Sequence, residues 1–312
     1  MSELENAPHP RVSVVIPSYN NEQFIEAAVE SVLRQTFRDF ELIVSDHSST
    51  DRTWELLQRF AADPRVRLGT VAPGGGAPAN WTAVTERAGG EFVKLVCGDD
   101  LLYPTALAEQ VAAFDAHPEA VLVACQRDVI DADGAPVVRS RGLQGLSGVV
   151  PGDQAIRRTV SAGTNVFGEP MCILVRREVL LATGGWDDRV PYLLDQATFV
   201  RVLRRGPMVA VRRCLAAFRI SAEQWSVDLV RQQGRHAREF HASVQRDHPG
   251  LLHRWDRPLG DIRATAMALG RRGVYLWLRW RRKDAGPAAP ADTIAAGAKA
   301  ADDRPAFDRL VE

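Results

Sequence analysis

Acidic side chains follow two predicted strands at the points where those strands end. Asp46 comes after the strand predicted for residues 40–44, and Asp99 and Asp100 come after the one predicted for 92–96. Ligands collect beyond the carboxyl ends of the strands in an open α/β sheet, so these carboxylates are candidates for one binding site. At that edge a carboxylate such as Asp46 can accept a hydrogen bond from a nucleobase N–H.

The adjacent carboxylates of Asp99 and Asp100 suit a hard divalent cation, Mg²⁺ or Mn²⁺. Such an ion stabilises the negative charge that gathers on a leaving nucleoside diphosphate. One of the two aspartates is also placed to cap the helix expected to begin at Pro104, directly after the pair. The pair therefore predicts a cation site to which at least one carboxylate contributes.

A fourth aspartate, Asp195, precedes a predicted helical run in which Phe199 and Val202 follow at i+4 and i+7. That spacing puts its carboxylate on the apolar face of the helix, where partial burial raises a carboxyl pKa. A carboxylate of this kind can act as a general base. The alternatives are a helix cap and an ion pair with Arg201.

The turn after the first predicted strand offers an aromatic ring and amides in the run Pro17-Ser18-Tyr19-Asn20. It lacks the GxGxxG fingerprint of a dinucleotide-binding dehydrogenase and the glycine-rich, lysine-containing loop expected of a nucleotidyltransferase. Hydride and nucleotidyl chemistry are therefore disfavoured. The residues from Ser48 to Asp51 follow the second strand and either cap the next helix or contribute hydroxyls to the site.

Short β-branched runs alternate with amphipathic helical patterns in the first 125 residues, which is typical of a mostly parallel sheet flanked by helices. Strands are predicted at 12–16, 40–44, 65–68, 92–96, 120–124 and 171–175, with two more short strands before residue 220. Turns or a short hairpin are expected over 126–150, where glycine, proline and aspartate are frequent. The fold class is α/β with a C-terminal helical extension.

The pattern divides the chain into three predicted parts. Residues 11–222 form the α/β domain, whose halves 11–125 and 126–222 would bind donor and acceptor respectively. Residues 223–283 form the helical extension. Residues 284–312 are an alanine-, proline- and aspartate-rich tail that we expect to be disordered.

Composition excludes several classes of function. Lysine plus arginine equals aspartate plus glutamate at 39 each, so no global field attracts nucleic acid. The four cysteines lack paired CxxC spacing and are expected to be reduced. The first ten residues do not resemble a signal peptide, and no apolar run approaches about 18 residues, so a cytoplasmic location is predicted.

An aromatic and cationic segment lies near the C-terminus, where arginines flank the run Val274-Tyr275-Leu276-Trp277-Leu278 and Trp280. Such a helix can lie in a membrane interface with its arginines on anionic head groups, which would place the protein at the inner face of the plasma membrane. The alternative is an amphipathic helix that packs on the catalytic domain.

Several segments, in order along residues 11–225, resemble family-2 inverting glycosyltransferases, whose fold is the GT-A domain. The matching runs are VSVVIPSYN at 12–20, SVLRQT at 31–36, DHSSTD at 46–51, ANWT at 79–82, CGDD at 97–100, and GGWD at 184–187 followed by Asp195. Asp46 falls where the family's aspartate reads the base. Cys97 to Asp99 falls where the family has D-x-D, and Asp195 where it has its catalytic base.

The resemblance implies a nucleotide diphosphate sugar as donor, a divalent cation, and a glycan or lipid-linked acceptor of the cell envelope. The implied donor-binding residues are Pro17, Tyr19, Asn20, Asp46, Asn80, Trp81 and Asp99. Asp99 and Asp100 would hold the metal. Asp195 would deprotonate the acceptor hydroxyl. Trp186, Glu169 and Trp225 are candidates for acceptor contacts, the two tryptophans because aromatic faces stack on sugar rings.

Two positions depart from the family pattern. Cys97 stands where the leading aspartate of D-x-D is common, and Ser221 where many relatives carry a metal-binding histidine. These departures weaken the expected metal site. They also motivate an alternative function, a nucleotide-sugar-binding regulator or partner protein without turnover.

Overall fold

The computed structural model describes residues 9–190, 193–220 and 233–267. This part of the chain builds a ten-stranded sheet in the order β3-β2-β1-β4-β9-β6-β10-β5, with β7 added to β6 and β8 to β10. The strands are β1 Val12–Ser18, β2 Phe40–Asp46, β3 Val66–Thr70, β4 Phe92–Leu95, β5 Leu101–Leu102, β6 Leu122–Ile130, β7 Pro136–Arg141, β8 Gly148–Val150, β9 Ile173–Arg176 and β10 Met208–Arg219.

The first half of the sheet is parallel and the second half is mixed. Strands β3, β2, β1 and β4 are parallel neighbours, whereas β9 runs antiparallel to both β4 and β6. Beyond β9, strands β6 and β10 are again parallel. Since β9 is antiparallel to both of its neighbours, β6 and β10 run in the same direction as the first four strands, and the expectation of a mostly parallel sheet holds for these six strands. The chain reaches β9 at the edge where β4 ends, and a strand that starts there must run back.

Helices cover the sheet: α1 Ile25–Leu33, α2 Thr53–Leu57, α3 Gly76–Glu86, α4 Ala106–Ala116, α5 Gly152–Ala162, α6 Arg177–Ala182, α7 Leu194–Leu203 and α8 Gln233–Asp247. Their apolar faces are buried against the strands, as α1 illustrates with Ile25, Val29 and Val32. Burial of such stripes, rather than helix propensity, stabilises helices of this length.

The segment after Asp100 differs from the prediction. No helix begins directly there, because Leu101 and Leu102 form β5 and pair antiparallel with Ala217 and Ala216 of β10. Helix α4 then begins at Ala106, two residues beyond Pro104. The added strand anchors the acidic pair to the far half of the sheet.

Two further stretches correct the predicted elements. The strand predicted at 120–124 continues to Ile130 and pairs with β7, so 126–150 contains the expected hairpin as well as β8. The two short strands expected before residue 220 are one strand, β10, whose register against β6 shifts between Val211 and Ala216. The polar residues at that bulge interrupt the apolar pattern and make one strand look like two.

Helical residues follow the sheet, in α8 and again at 256–267. Gly260 lies so close to α5 that a Cβ there would be 2.0 Å from the Val160 carbonyl oxygen. Ser221, Trp225, the aromatic and cationic segment and the tail lie outside the described residues. Within those residues, no helix is both long and apolar enough to cross a bilayer.

Candidate functional site

The loops after β1 and β2 are bound to each other at the carboxyl ends of these strands. The two strands pair along their whole length, from Val12 with Phe40 to Ser18 with Asp46. Beyond them, Asn20 adopts a left-handed conformation with φ of 49°. Its Oδ1 accepts the N–H of Thr50 at 2.9 Å. The expected donor loop is therefore preformed.

Tyr19 and Pro17 occupy different environments in this loop. Tyr19 is 56% exposed, and the edge of its ring approaches His47 with the ring centroids 6.1 Å apart. Pro17 is buried and follows Val15, the last residue of β1 that pairs with β4, so its missing N–H removes no bond to β4. Only Tyr19 presents a broad surface to a ligand.

Asp46 is 2% exposed, and Ser49 binds both of its carboxylate oxygens. The Ser49 N–H donates to Oδ2 at 3.0 Å and the Ser49 hydroxyl donates to Oδ1 at 2.5 Å. Of the residues from Ser48 to Asp51 that could have capped the next helix, Ser49 thus holds Asp46, and Asp51 accepts the N–H of Thr53, the first residue of α2. Any ligand contact to Asp46 would use the remaining lone pairs of these oxygens.

Asn80 and Trp81 lie on α3. The buried Asn80 side chain donates from Nδ2 to the Ser18 carbonyl oxygen at 3.1 Å, so it fixes the end of β1. Its Oδ1 is buried and makes no hydrogen bond to the described residues. Trp81 packs edge-to-face on Trp186, with ring centroids 5.0 Å apart.

Trp186 is a core residue rather than an open platform for a sugar. It is 9% exposed, and its Nε1–H donates to the Thr85 hydroxyl at 2.9 Å. Phe199 covers it from another side, with a centroid distance of 6.1 Å. The placement corrects the expectation that its ring would stack on an acceptor. Trp225, the other tryptophan expected there, lies outside the described residues.

Cys97, Asp99 and Asp100 form a compact group of potential metal ligands. Their ligand atoms all lie within 4.8 Å of one another. Asp100 is 1% exposed, and its Oδ1 accepts the N–H of Arg219 at 3.1 Å. Asp100 therefore caps the end of β10 and does not cap α4, the helix that follows Asp100 in sequence. Two carboxylates and a thiol at these separations fit a divalent cation.

Like charges crowd this group. Burial raises the pKa of the Asp100 carboxyl well above its usual range, and the charge of Asp99 raises it further. Burial also raises the pKa of the Cys97 thiol, as do the carboxylates of Asp100, Asp99, Asp195 and Glu169. The four carboxylates therefore lie near one thiol at one edge of the sheet, and a bound cation would relieve their repulsion.

Asp195 lies in the first turn of α7 and is half-buried. Its Oδ1 accepts the Gln196 N–H at 2.8 Å, and its Oδ2 accepts a hydrogen bond from Asn165 Nδ2 at 2.9 Å. The proposed ion pair with Arg201 does not form, because that guanidinium lies 3.4 Å from Asp187 and donates to the Gly185 carbonyl oxygen. The N-cap of α7 is Leu193, not Asp195.

Burial raises the pKa of Asp195 to about 7. The Gln196 N–H lowers this pKa, the charge of Glu169 raises it and the charge of Arg127 lowers it. The carboxyl can thus both bind and release a proton near neutral pH, as a general base requires.

Sequence reasoning missed three residues that support this edge. Arg127 is buried, and its Nη2 donates to Glu169 Oε1 at 2.7 Å. Arg219 donates from Nε to the Asp99 carbonyl oxygen at 3.0 Å, and Asn165 binds Asp195. Each partner is more than 25 positions away in sequence, so no local spacing pattern signals these contacts.

The first loop also reaches the acidic segment. A Cβ at Gly98 would lie 2.6 Å from Asn21 Oδ1, so any other residue would have to displace the Asn21 side chain. Asn21 in turn donates its N–H to the Thr53 hydroxyl at 2.8 Å, at the start of α2. The loop after β1 therefore contacts both the segment that carries Asp99 and the start of the helix that follows Asp46.

Comparison with known proteins places the fold in a family. Residues 13–183 match the family model described as glycosyl transferase family 2. An uncharacterized protein of Mycobacterium tuberculosis, MT1568, is 29% identical over 226 residues, which cover 70% of this chain and 69% of that protein.

A second relative has a named activity. WfgD of Escherichia coli, a UDP-Glc:alpha-D-GlcNAc-diphosphoundecaprenol beta-1,3-glucosyltransferase, is 35% identical over 101 residues, 32% of this chain and 41% of its own length. Less than half of that relative is therefore matched. Among solved structures, S. aureus TarS 1–349 in complex with UDP-GlcNAc superposes with a TM-score of 0.62 at 18% identity, covering 75% of this chain and 66% of that one.

The raised pKa of Asp195 makes stability depend on pH. A carboxyl that titrates near 7 when folded and near about 4 when unfolded contributes stability below about pH 4, and this contribution is lost as pH rises through 7. Asp195→Asn cannot ionise. We expect its melting temperature in EDTA, relative to wild type, to increase by about 5 °C between pH 5 and pH 8.

Differential scanning calorimetry at both pH values measures this gap, the difference in melting temperature between the variant and wild type. Thr164→Ala, in the neighbouring loop, removes no titrating group and should show the same gap at both pH values. If the gap for Asp195→Asn also has the same size at pH 5 and pH 8, the raised pKa is contradicted.

Proposed function

The chain belongs to glycosyl transferase family 2, and on that premise we propose that it transfers a sugar from a nucleoside diphosphate sugar to an acceptor hydroxyl with inversion. The observation that carries this proposal is the position of Asp195. It is a half-buried carboxyl with a pKa of about 7, on the same edge as the Cys97, Asp99 and Asp100 group. A base and an acidic cation site on one edge suit a single displacement.

In this mechanism Asp195 takes the proton of the acceptor hydroxyl while the oxygen attacks the anomeric carbon of the donor. The bond from that carbon to the diphosphate oxygen breaks, and the nucleoside diphosphate leaves with the electron pair. Attack from the face opposite the leaving group inverts the configuration. Because Asp195 binds two N–H donors, its carboxylate is oriented before substrate arrives.

The nucleotide would lie over the loops after β1 and β2. Tyr19, the exposed ring, supports a stacking role against the base, and Asp46 supports base recognition through its free lone pairs. Pro17, Asn20 and Asn80 shape the loop from beneath, and Trp81 packs beside them. These assignments continue the prediction from sequence.

Asp99 and Asp100 would hold a divalent cation, with the Cys97 thiol beside them. When bound, Mg²⁺ or Mn²⁺ would offset the charge of the diphosphate. The protein itself fixes the ligand atoms: the Arg219 N–H orients the Asp100 carboxylate, and the Arg219 side chain holds the main chain at Asp99. Ser221, where relatives carry a histidine, lies outside the described residues.

The acceptor would enter beside Glu169, whose side chain is 24% exposed above the buried Arg127. The WfgD name specifies a diphosphoundecaprenol-linked acceptor, and this supports a glycan or lipid-linked acceptor of the cell envelope here. Such acceptors are presented at a membrane surface.

A location at the inner face of the plasma membrane would fit an acceptor of this kind. Trp255, Leu259 and Ile262 are exposed by 63%, 41% and 68%, and they recur at i, i+4 and i+7. They precede the aromatic and cationic segment in sequence. An apolar stripe followed by arginines favours an anionic lipid surface.

Asp195→Asn tests the catalytic role. We expect loss of donor turnover by at least about 100-fold, because the amide cannot accept the proton, with donor affinity within about twofold of wild type. Release of nucleoside diphosphate in Mn²⁺ measures turnover, and calorimetric titration measures affinity.

Asp153→Asn is the matched control, since that carboxylate lies on α5 and pairs only with Arg204 in the contacts described. Equal turnover in both variants would rule out Asp195 as the base. Donor binding by the wild type without release of nucleoside diphosphate would favour the alternative, a protein that binds a nucleotide sugar without transferring it.

Two substitutions with opposite expected effects on nucleotide binding test the cation site. Asp99→Asn should weaken nucleotide binding about tenfold in Mn²⁺ and leave it unchanged in EDTA, because it removes a ligand charge. Cys97→Asp should strengthen Mg²⁺-dependent binding by a similar factor, because a hard carboxylate oxygen replaces a thiol. Calorimetric titration with each ion measures both.

Cys214→Ser serves as control, because that half-buried thiol contacts Asp128 and Ala216 instead of the acidic group. Weakening of nucleotide binding by Asp99→Asn in EDTA as strong as in Mn²⁺ would rule out a ligand role for Asp99.

Flotation with vesicles tests the membrane proposal. The chain ending at Gly270, the limit of the compact unit Met1–Gly270, should lose most of its binding to anionic vesicles. Full-length protein carrying Trp255→Glu, Leu259→Glu and Ile262→Glu should float less than wild type, and Leu181→Glu, which alters an equally exposed apolar residue on α6, should not. Equal flotation of all four proteins would exclude both the apolar stripe and the segment after Gly270 as the lipid-binding surface.

A further inference from the structure

Asn165 lies in the loop between α5 and β9, and all of its side-chain hydrogen-bonding groups are used. Its Oδ1 accepts the N–H of Phe167 at 3.1 Å and that of Gly168 at 3.2 Å. Its Nδ2 donates to the Gly168 carbonyl oxygen at 2.8 Å and to Asp195 Oδ2 at 2.9 Å.

These bonds fix the orientation of the amide. A flipped side chain would place its NH₂ group against two main-chain N–H donors, where no hydrogen bond can form. The oxygen of Asn165 must therefore face the loop, and the nitrogen must face Asp195. A group locked in this way can only donate to the carboxylate.

We propose that Asn165 is a positioning residue for Asp195, and that its amide holds the Oδ2 oxygen, which favours the ionised carboxylate and keeps it turned toward the acceptor. The assignment rests on the proposed role of Asp195 as base. It also gives the 163–168 loop a function, since that loop carries the amide to the edge where β4 ends.

The other charged groups near Asp195 do not replace this contact. Glu169 repels the ionised carboxylate, and Arg127 attracts it but donates to Glu169. On the β4 side lies the Cys97 thiol, whose pKa the Asp195 charge raises. Among the side chains of the described residues, only that of Asn165 donates a hydrogen bond to the Asp195 carboxylate.

Two substitutions separate positioning from loop structure. In Asn165→Asp one carboxylate oxygen can still accept from Phe167 and Gly168, so the loop is retained, but the other oxygen opposes Asp195 at hydrogen-bond distance. Two carboxyls at that distance share a proton. Asn165→Ala simply removes the donor.

The measurement is the ¹³C carboxyl titration of Asp195 in aspartate-labelled protein in EDTA, with the signal assigned by its loss in Asp195→Asn. We expect the midpoint to move upward by about one pH unit in Asn165→Ala, and the pair in Asn165→Asp to release its last proton higher still. Thr164→Asp adds a charge one residue away and should move the midpoint much less.

A midpoint in Asn165→Asp within a few tenths of wild type would overturn the proposal, because a residue that only shapes the loop predicts that result. The pH dependence of donor turnover, measured on the same variants, separates the two assignments. If the titration moves and the rate profile does not, Asn165 positions Asp195 but Asp195 is not the base. If both move together, both assignments are supported.

Discussion

Repulsion among carboxylates at one edge of the sheet is the constraint that the surrounding structure must meet. Asp99, Asp100, Asp195 and Glu169 all raise the pKa of a single half-buried thiol, Cys97. Unpaired, such charges would be costly to bury. The protein meets the cost with two buried arginines and a set of N–H donors, and a divalent cation bound there would reduce it further.

Each half of the sheet supplies part of this edge. The parallel strands β1, β2 and β4 bring the nucleotide loops and the acidic segment to their carboxyl ends, as parallel strands must. The antiparallel β9 begins at that edge instead of ending there. The loop before β9 therefore brings Asn165 and Glu169 to the same edge. Strand β10 then returns to the same edge and ends at Arg219 beside Asp100.

Sequence patterns located the acidic residues because the evidence for them is local. An apolar strand followed by Asp46 or Asp99, and an apolar helical stripe behind Asp195, are visible within about ten residues. The raised pKa expected for Asp195 agrees with the structure. The α/β fold and the positions of the first strands also follow from such patterns, whereas the family was indicated by the resemblance of longer motifs.

What the sequence did not predict depends on contacts between distant segments. The direction of β9 follows from where the chain arrives, and the burial of Trp186 follows from Trp81 and Phe199 on other helices. The bulge in β10 divided one strand into two apparent ones. Asn165 and Arg127 carry no local signature, since an asparagine in a loop and an arginine in a strand are ordinary until their partners are known.

Arg219 contacts the hairpin between β6 and β7 in a way that bears on how this protein can diverge. Its Nη1 donates to the carbonyl oxygens of Asp131 and Ala132, and its Nε to that of Asp99. Every one of these acceptors belongs to the main chain. Relatives can therefore exchange the side chain at a position such as 132 without disturbing the acidic edge, provided that the turn keeps its shape, while the arginine itself has no such freedom.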